Sequence, residues 1–361
     1  MNYKILLTLF SLSASLALPS RVLAQSLEEL PLEVVNYRIA QGTNSFGIPL
    51  LRPALWRGKI ASVSSSTRVI TDQDTKSSGP LLAQIPLEPA YLEITTSALD
   101  PTLVGERFEV GVIETRGPLG TKGQIRLISS SWDTRPDVPA GLAGCSYEIH
   151  PHWTLSSFLG TPDKAPLRRA KSAGSADTLR VPDLNQPHLW ETFFVVEDRG
   201  TVGWRNAMNR SGPEMGARII PPGTGFMLSI QGNGPERPLV ITGEARRHAF
   251  RRPLYTGRNL VALGHSSPHT LSSILANRDY GFQAGSNSVD SDEIQFRNHG
   301  RWEVLRYVQG SSGSADQPSW QCLTARYGGK IESLPLLPAH QAFWIQKIQP
   351  DSDFIIPAPT P

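Results

Sequence analysis

His152-Trp153-Thr154-Leu155-Ser156-Ser157-Phe158-Leu159 and Pro268-His269-Thr270-Leu271-Ser272-Ser273-Ile274-Leu275 lie 116 residues apart and match in order and chemistry. In each, a threonine precedes an apolar pattern. The hydroxyls of Thr154 and Thr270 suit a helix N-terminus, where they accept a backbone N–H. Leu155, Phe158 and Leu159 then share one helical face, as do Leu271, Ile274 and Leu275. The pair predicts a helix of one or two turns in each half, laid on a core.

Working outward, the likeness continues at spacings of 112 to 117 residues. Ser175-Ala176-Asp177-Thr178 aligns with Ser291-Asp292-Glu293-Ile294. Leu189-Trp190-Glu191 aligns with Arg301-Trp302-Glu303, and Trp204 with Trp320. Ile219-Ile220-Pro221 with Gly225-Phe226 aligns with Leu336-Leu337-Pro338 with Ala342-Phe343. Repeated units of this kind pack as similar blocks. Trp190–Val196 and Trp302–Val308 are rich in aromatic and β-branched residues and read as strands. Trp190, Thr192, Phe194 and Val196 share one face, with Trp302, Val304, Arg306 and Val308 as counterparts. The paired tryptophans are expected in the core and Glu191 and Glu303 on the outside. Pro221–Gly225 and Pro338–Ala342 read as turns into the strands Phe226–Ile230 and Phe343–Ile348. Leu239–Thr242 and Phe354–Ile356 close the two copies. Gly257-Arg258-Asn259 echoes Gly42-Thr43-Asn44, so the first strand of copy one is expected well upstream of the rest.

The intervening stretch holds six short β-like runs: 59–63, 67–71, 91–95, 107–113, 124–129 and 145–149. Six strands at this spacing predict a small closed barrel. Asp72–Gln84 is polar and reads as a loop. The expected fold is therefore all-β: two similar β-barrel or β-sandwich modules, each with one short helix, and a small inserted β-barrel. The expected boundaries are a signal peptide at 1–24, an N-terminal strand segment at 25–55 and the inserted barrel at 56–146. Module 1 follows at 147–245, a basic linker at 246–253 and module 2 at 254–361. Arg246-Arg247-His248-Ala249-Phe250-Arg251-Arg252-Pro253 could form a basic patch for an acidic glycan or lipid headgroup, but it is expected to be a solvated linker, as short charge runs usually are.

Residues 1–24 have a charged start, an apolar run from Ile5 to Pro19, and Val22-Leu23-Ala24 before the break. This order is that of a cleavable secretory signal. No later stretch is long and apolar enough to span a bilayer as a helix. Removing Lys4 and Arg21 with the signal takes the formal charge from +3 to +1, which gives no electrostatic case for nucleic acid. Gly (31) and Pro (30) are spread along the chain, favouring frequent turns over long helices. An exported chain meets oxidising conditions, so a Cys145–Cys322 disulfide is chemically allowed. Two separately buried thiols are the alternative, because bridge geometry is demanding.

Phe46-Gly47-Ile48-Pro49-Leu50-Leu51-Arg52-Pro53-Ala54 resembles the opening of a paralogous family of exported, β-rich proteins from Verrucomicrobia. Gly58–Val63, Gly105–Val110 and Tyr147-Glu148-Ile149-His150-Pro151-His152-Trp153-Thr154-Leu155 continue the resemblance over most of the mature chain. It implies export, a β-rich fold and a bacterial envelope or extracellular setting. It brings no catalytic residues with it. Cys145 departs from the family's pattern and leaves the disulfide open.

Chemistry is sparse. His150 and His152 sit two apart on a strand and face one side, yet a metal site needs a third ligand that no nearby spacing supplies. They are expected to be turn or surface histidines, and no metal or cofactor is assigned. Asp290-Ser291-Asp292-Glu293 lacks the glycine and distal glutamate of a calcium loop. Gly264-His265-Ser266-Ser267-Pro268 lacks the last glycine of a nucleophile elbow. Eight tryptophans suit sugar rings, whose C–H faces pack on aromatic planes. Trp153, His150 and His152 are the candidate ligand contacts. The expected function is non-enzymatic: a binding or structural component of the envelope or extracellular space. It would be secreted or periplasmic, or associated with the outer surface, and partnered by an envelope polysaccharide or another exported protein. The alternative is a polysaccharide-active hydrolase with a loop-built carboxylate site.

Overall fold

A computed structural model describes residues 31–73, 88–114, 123–130, 137–186, 188–275, 282–298, 301–309, 318–323, 336–349 and 352–359. The segment read as a signal peptide and most of the polar loop after Asp72 lie outside these residues.

The chain opens with β1 (Leu32–Ile39), β2 (Gly42–Gly47) and β3 (Leu50–Leu51). Next come β4 (Trp56–Ser64), β5 (Val69–Asp72), β6 (Ala90–Thr96), β7 (Arg107–Glu114), β8 (Gln124–Ile128) and β9 (Ser146–Pro151). A first run follows: β10 (Trp153–Thr154), α1 (Leu155–Leu159), β11 (Thr178–Pro182), β12 (Trp190–Asp198), β13 (Thr201–Asn206), β14 (Ile219–Ile220), β15 (Gly225–Ile230) and β16 (Arg237–Ala245). The last run begins with β17 (Phe250–Leu254), β18 (Gly257–Ala262), β19 (His269–Thr270), α2 (Leu271–Leu275) and β20 (Glu293–Asn298). It ends with β21 (Arg301–Val308), β22 (Ser319–Cys322), β23 (Leu336–Leu337), β24 (Ala342–Lys347) and β25 (Ser352–Ile356).

The six expected barrel strands close into an antiparallel barrel in the order β4-β5-β8-β7-β6-β9. Ile60, Leu92, Phe108, Ile125 and Tyr147 fill it. Its last strand runs to Pro151, past the boundary expected at 146, because β9 pairs with both β4 and β6 and closes the ring.

Two five-stranded sheets flank the barrel, ordered β13-β12-β11-β15-β2 and β22-β21-β20-β24-β18. Member for member, the strands occur in the same chain order. Beside each lies an antiparallel pair, β1 with β16 and β17 with β25. A two-residue bridge stands before each helix, β10 with β14 and β19 with β23. Trp204 is fully buried in the first core, among Tyr37, Phe46, Phe158 and Phe226. Trp320 is buried in the second, with Phe343, Phe354 and Ile274.

Local chemistry repeats as well. Ser157 N–H donates to Thr154 Oγ1 (3.1 Å) while Thr154 N–H donates to Ser157 Oγ (2.7 Å), a reciprocal cap on α1. Ser273 N–H donates to Thr270 Oγ1 (3.1 Å) at α2. Gly42 (φ +86°) and Gly257 (φ +91°) open β2 and β18, a conformation costly for a residue with a Cβ. Each turn is tied by an asparagine. Asn44 Nδ2 donates to the carbonyls of Ala40 (2.7 Å) and Gly42 (3.2 Å), and Asn259 Nδ2 to those of Tyr255 (2.7 Å) and Gly257 (3.1 Å).

Several expectations are corrected. The pairing Thr178↔Ser229 against Glu293↔Gln346 matches Asp177 with Asp292, one residue off the register read from the similar serines. Trp302 is 47 % exposed and Trp190 half-buried, because the opposite face of each strand meets the core. Glu191 and Glu303 are on that inner face with Phe193, Val195 and Leu305. Glu303 is buried, and Glu191 accepts from Arg218 Nε (2.8 Å). Residues 246–253 are no solvated linker: Arg246, Arg251, Arg252 and Phe250 are buried, and Phe250 begins β17. Cys145 lies in the barrel core and Cys322 packs beside the second core, and the allowed disulfide between them is not formed.

Candidate functional site

The barrel's acidic residues meet the arginines of the former linker along a buried seam. Arg246 donates to both carboxylate oxygens of Glu93 from Nε (2.9 Å) and Nη2 (3.0 Å) and lies 4.3 Å over the Phe250 ring. Burial pushes the Glu93 carboxyl up, but the charge and hydrogen bonds of Arg246, with His248, outweigh it and leave it below its ordinary value. Arg251 faces Glu106 at 3.6 Å. Arg107 spans the seam, donating to the carbonyls of Arg251 (2.8 Å) and Pro222 (3.3 Å).

His150 and His152 belong to this seam and are fully buried, not surface histidines. They stack near Tyr91, at 5.9 and 4.9 Å between ring centroids, but bond different acids. His150 Nε2 meets Glu148 Oε2 at 3.0 Å, and His152 Nε2 meets Glu109 Oε2 at 2.9 Å. Ligand atoms of Glu148, His150 and Glu244 lie within 4.8 Å of one another. A guanidinium already holds them: Arg57 Nε donates to Glu148 (2.9 Å) and its Nη2 to Glu244. A metal ion entering this set would displace one positive charge with another. Burial raises the Glu148 carboxyl, yet His150 and Arg57 together bring it down to about 2.

Beside the seam lies a narrow, partly open cleft of about 40 Å³. Arg107 comes from the barrel, Pro182 from the end of β11, Pro221 and Thr224 from the turn before β15, and Arg252 and Asn259 from the second region. Pro221 and Thr224 belong to the turn read from Pro221–Gly225, closed by Thr224 N–H to Pro221 O (3.1 Å). Gly223 sits at φ +70°, and a Cβ there would lie 2.2 Å from Phe250, so the turn needs glycine on both counts. Arg252 is 9 % exposed. Its Nη1 donates to the carbonyls of Gly223 and Leu260, and no ion pair is found for it among the described residues. Burial pulls the guanidinium down to about 10; Tyr255 opposes it, and the charge of Arg107 adds the smallest contribution, a further lowering. It stays charged at neutral pH. Asp183, on the rim, accepts the N–H groups of Asn185 (2.7 Å) and Gln186 (3.0 Å).

No protein-family model, no curated protein and no solved structure matches this chain. Among the described residues no helix is long and apolar enough to cross a membrane.

Trp153 lines a smaller apolar cavity beside the cleft with Tyr91, Leu50 and Ile220, and its Nε1 donates to Leu50 O (2.8 Å). It therefore packs against the site and is half-buried. Asp290, Asp292 and Glu293 go to separate partners, Asn287, Lys347 and Arg306. Reading the sequence missed Arg107 and set Arg252 aside within a charge run expected to be solvated. The available signal was Phe250-Arg251-Arg252-Pro253-Leu254, whose apolar ends mark a strand through the charge run.

Proposed function

We propose that the chain is an exported, non-enzymatic binding protein of the bacterial envelope or its surroundings, made of two copies of one β-module with a small barrel set into the first. The cleft carries this reading: its walls come from the barrel and from both five-stranded regions and offer a guanidinium and proline faces. The carboxylates of Glu93, Glu109, Glu148 and Glu244 are held by arginine or histidine in the seam, which fits them to fasten the barrel and not to exchange protons with a substrate. The shared strand order supports duplication. The charged and apolar N-terminal pattern and the resemblance to exported Verrucomicrobia proteins support the setting.

The test is a screen of the chain from Gln25 onward against a polysaccharide panel and envelope extracts, with cell fractionation alongside. Saturable binding without product formation is expected. Polysaccharide cleavage that a single carboxylate substitution abolishes would instead establish the hydrolase alternative.

A further inference from the structure

We propose that the cleft binds an acidic polysaccharide, with Arg252 receiving a ligand carboxylate and the Trp190–Trp344 pair carrying adjoining sugar rings; this rests on the binding reading above. Arg252 is buried, lines the cleft and spends Nη1 and Nε on backbone carbonyls. Its Nη2 has no acceptor among the described residues, which leaves a charge-assisted donor for a ligand. Arg107 adds a second positive charge to the same wall.

The tryptophans adjoin this wall. Pro182 and Leu260, both in the cleft lining, stand directly across their sheets from Trp190 and Trp344. The two sheets meet back to back here: a Cβ on Gly47 would fall 2.0 Å from Ala262 Cβ, and one on Gly225 2.5 Å from Leu260. That close approach brings the indole rings to 5.8 Å, inclined at 61°. Both are half-buried, so part of each ring remains open. Arg180 lies 6.0 Å over Trp190 and Arg258 5.2 Å over Trp344, and both arginines are exposed. Arg258 Nη2 donates to Gln295 (3.0 Å), and neither arginine has a carboxylate partner among the described residues. Indole faces suit sugar C–H faces, and in the cleft lining Arg107 and Arg252 stand against one engaged acid, Asp183, which selects for negative charge.

Calorimetric titration of the chain from Gln25 onward with a galacturonic acid tetrasaccharide, and with its carboxyl-reduced neutral form, decides the matter. The acidic form is expected to bind at least tenfold more tightly, weakening as salt rises. Because Arg252→Met risks misfolding, the decisive variants are the exposed Arg180→Ala and Arg258→Ala, which together should weaken acidic binding at least tenfold, with circular dichroism unchanged. Equal affinity for the neutral form, or no loss in the double variant, defeats the charge selection while leaving a binding role intact. No binding of either sugar overturns the inference, and the wider screen then judges the binding reading separately.

Discussion

The two five-stranded regions solve one structural problem with different cations. In the first, Asp177 accepts the N–H groups of Arg168 and Gln231, both at 2.7 Å. In the second, Asp292 accepts those of Gln283 (2.8 Å) and Ile348 (2.7 Å). Both carboxylates are fully buried and staple a loop to a strand end. Asp177 is neutralised by Arg237, which is 30 % exposed and reaches in from β16. Asp292 is neutralised by Lys347, fully buried on β24 at the place Ile230 occupies in β15. A Phe282 ring 4.8 Å away covers the ammonium. The backbone role fixes the acid, whereas the counter-charge can come from any direction that geometry allows. A dry pair and a wet pair in equivalent places should therefore differ sharply in cost when broken.

The largest expected effect follows. Lys347→Met leaves a carboxylate buried without its cation and should destabilise the protein by about 3–5 kcal/mol. Arg237→Met, with water at hand, should cost about 1 kcal/mol. Urea unfolding of the two variants checks the ratio, and equal losses would break the comparison.

Acid should separate the regions next. Burial lowers the His265 imidazole of the second region to about 3; it also lowers His340, whose ring packs on Tyr37 and Phe46 of the first core, and His248 in the seam. Their folded values lie below 6.5, so the unfolded chain takes up protons first as pH falls. Stability present at neutral pH is then lost from about 6.5 downward, by about 1.4 kcal/mol per pH unit for each excess proton. Glu93 and Glu148, also lowered, add to the loss only below about 4.5. Hydrogen exchange at pH 5 should show β18, β20 and β24 opening before β11, β12 and β15. His265→Gln should reduce the slope.

The smallest contrast should be no contrast. Thr154→Ala and Thr270→Ala each remove a cap hydroxyl from a five-residue helix and should cost about 1 kcal/mol apiece by thermal unfolding. A difference well beyond that would show that the reciprocal Ser157 bond matters more than the threonine itself.

Elements with a local cause were legible in the chain. The caps, the Pro-Gly turns and the six barrel strands announce themselves in a few neighbouring residues. So did Trp204 and Trp320, because a tryptophan on the core side of a strand sits where its pattern says. Trp302 was misplaced because an aromatic residue alone does not reveal which strand face meets the core; Glu303 occupies that face instead. The cleft was not legible. Arg107 and Arg252 are 145 positions apart in sequence, and only the packing of barrel against sheet sets them on one wall. His150 and His152 were noticed for their spacing; the same strand period puts Glu148 beside His150, but Glu109 and Arg57, which complete their chemistry, are distant in sequence.

The barrel's two ends leave side by side, with Trp56 directly opposite Ile149. In the second region the corresponding passage from β18 to β19 takes only Leu263–Pro268. A whole domain thus plugs into the host through one narrow doorway, and the host's thread barely notices the detour. Its attitude, however, is dictated from outside by Arg246, Arg251 and the clasp between Arg57 and Glu244. Transplanting it to another scaffold would carry the ring intact but strand its acids, so any graft must bring the arginine tether along.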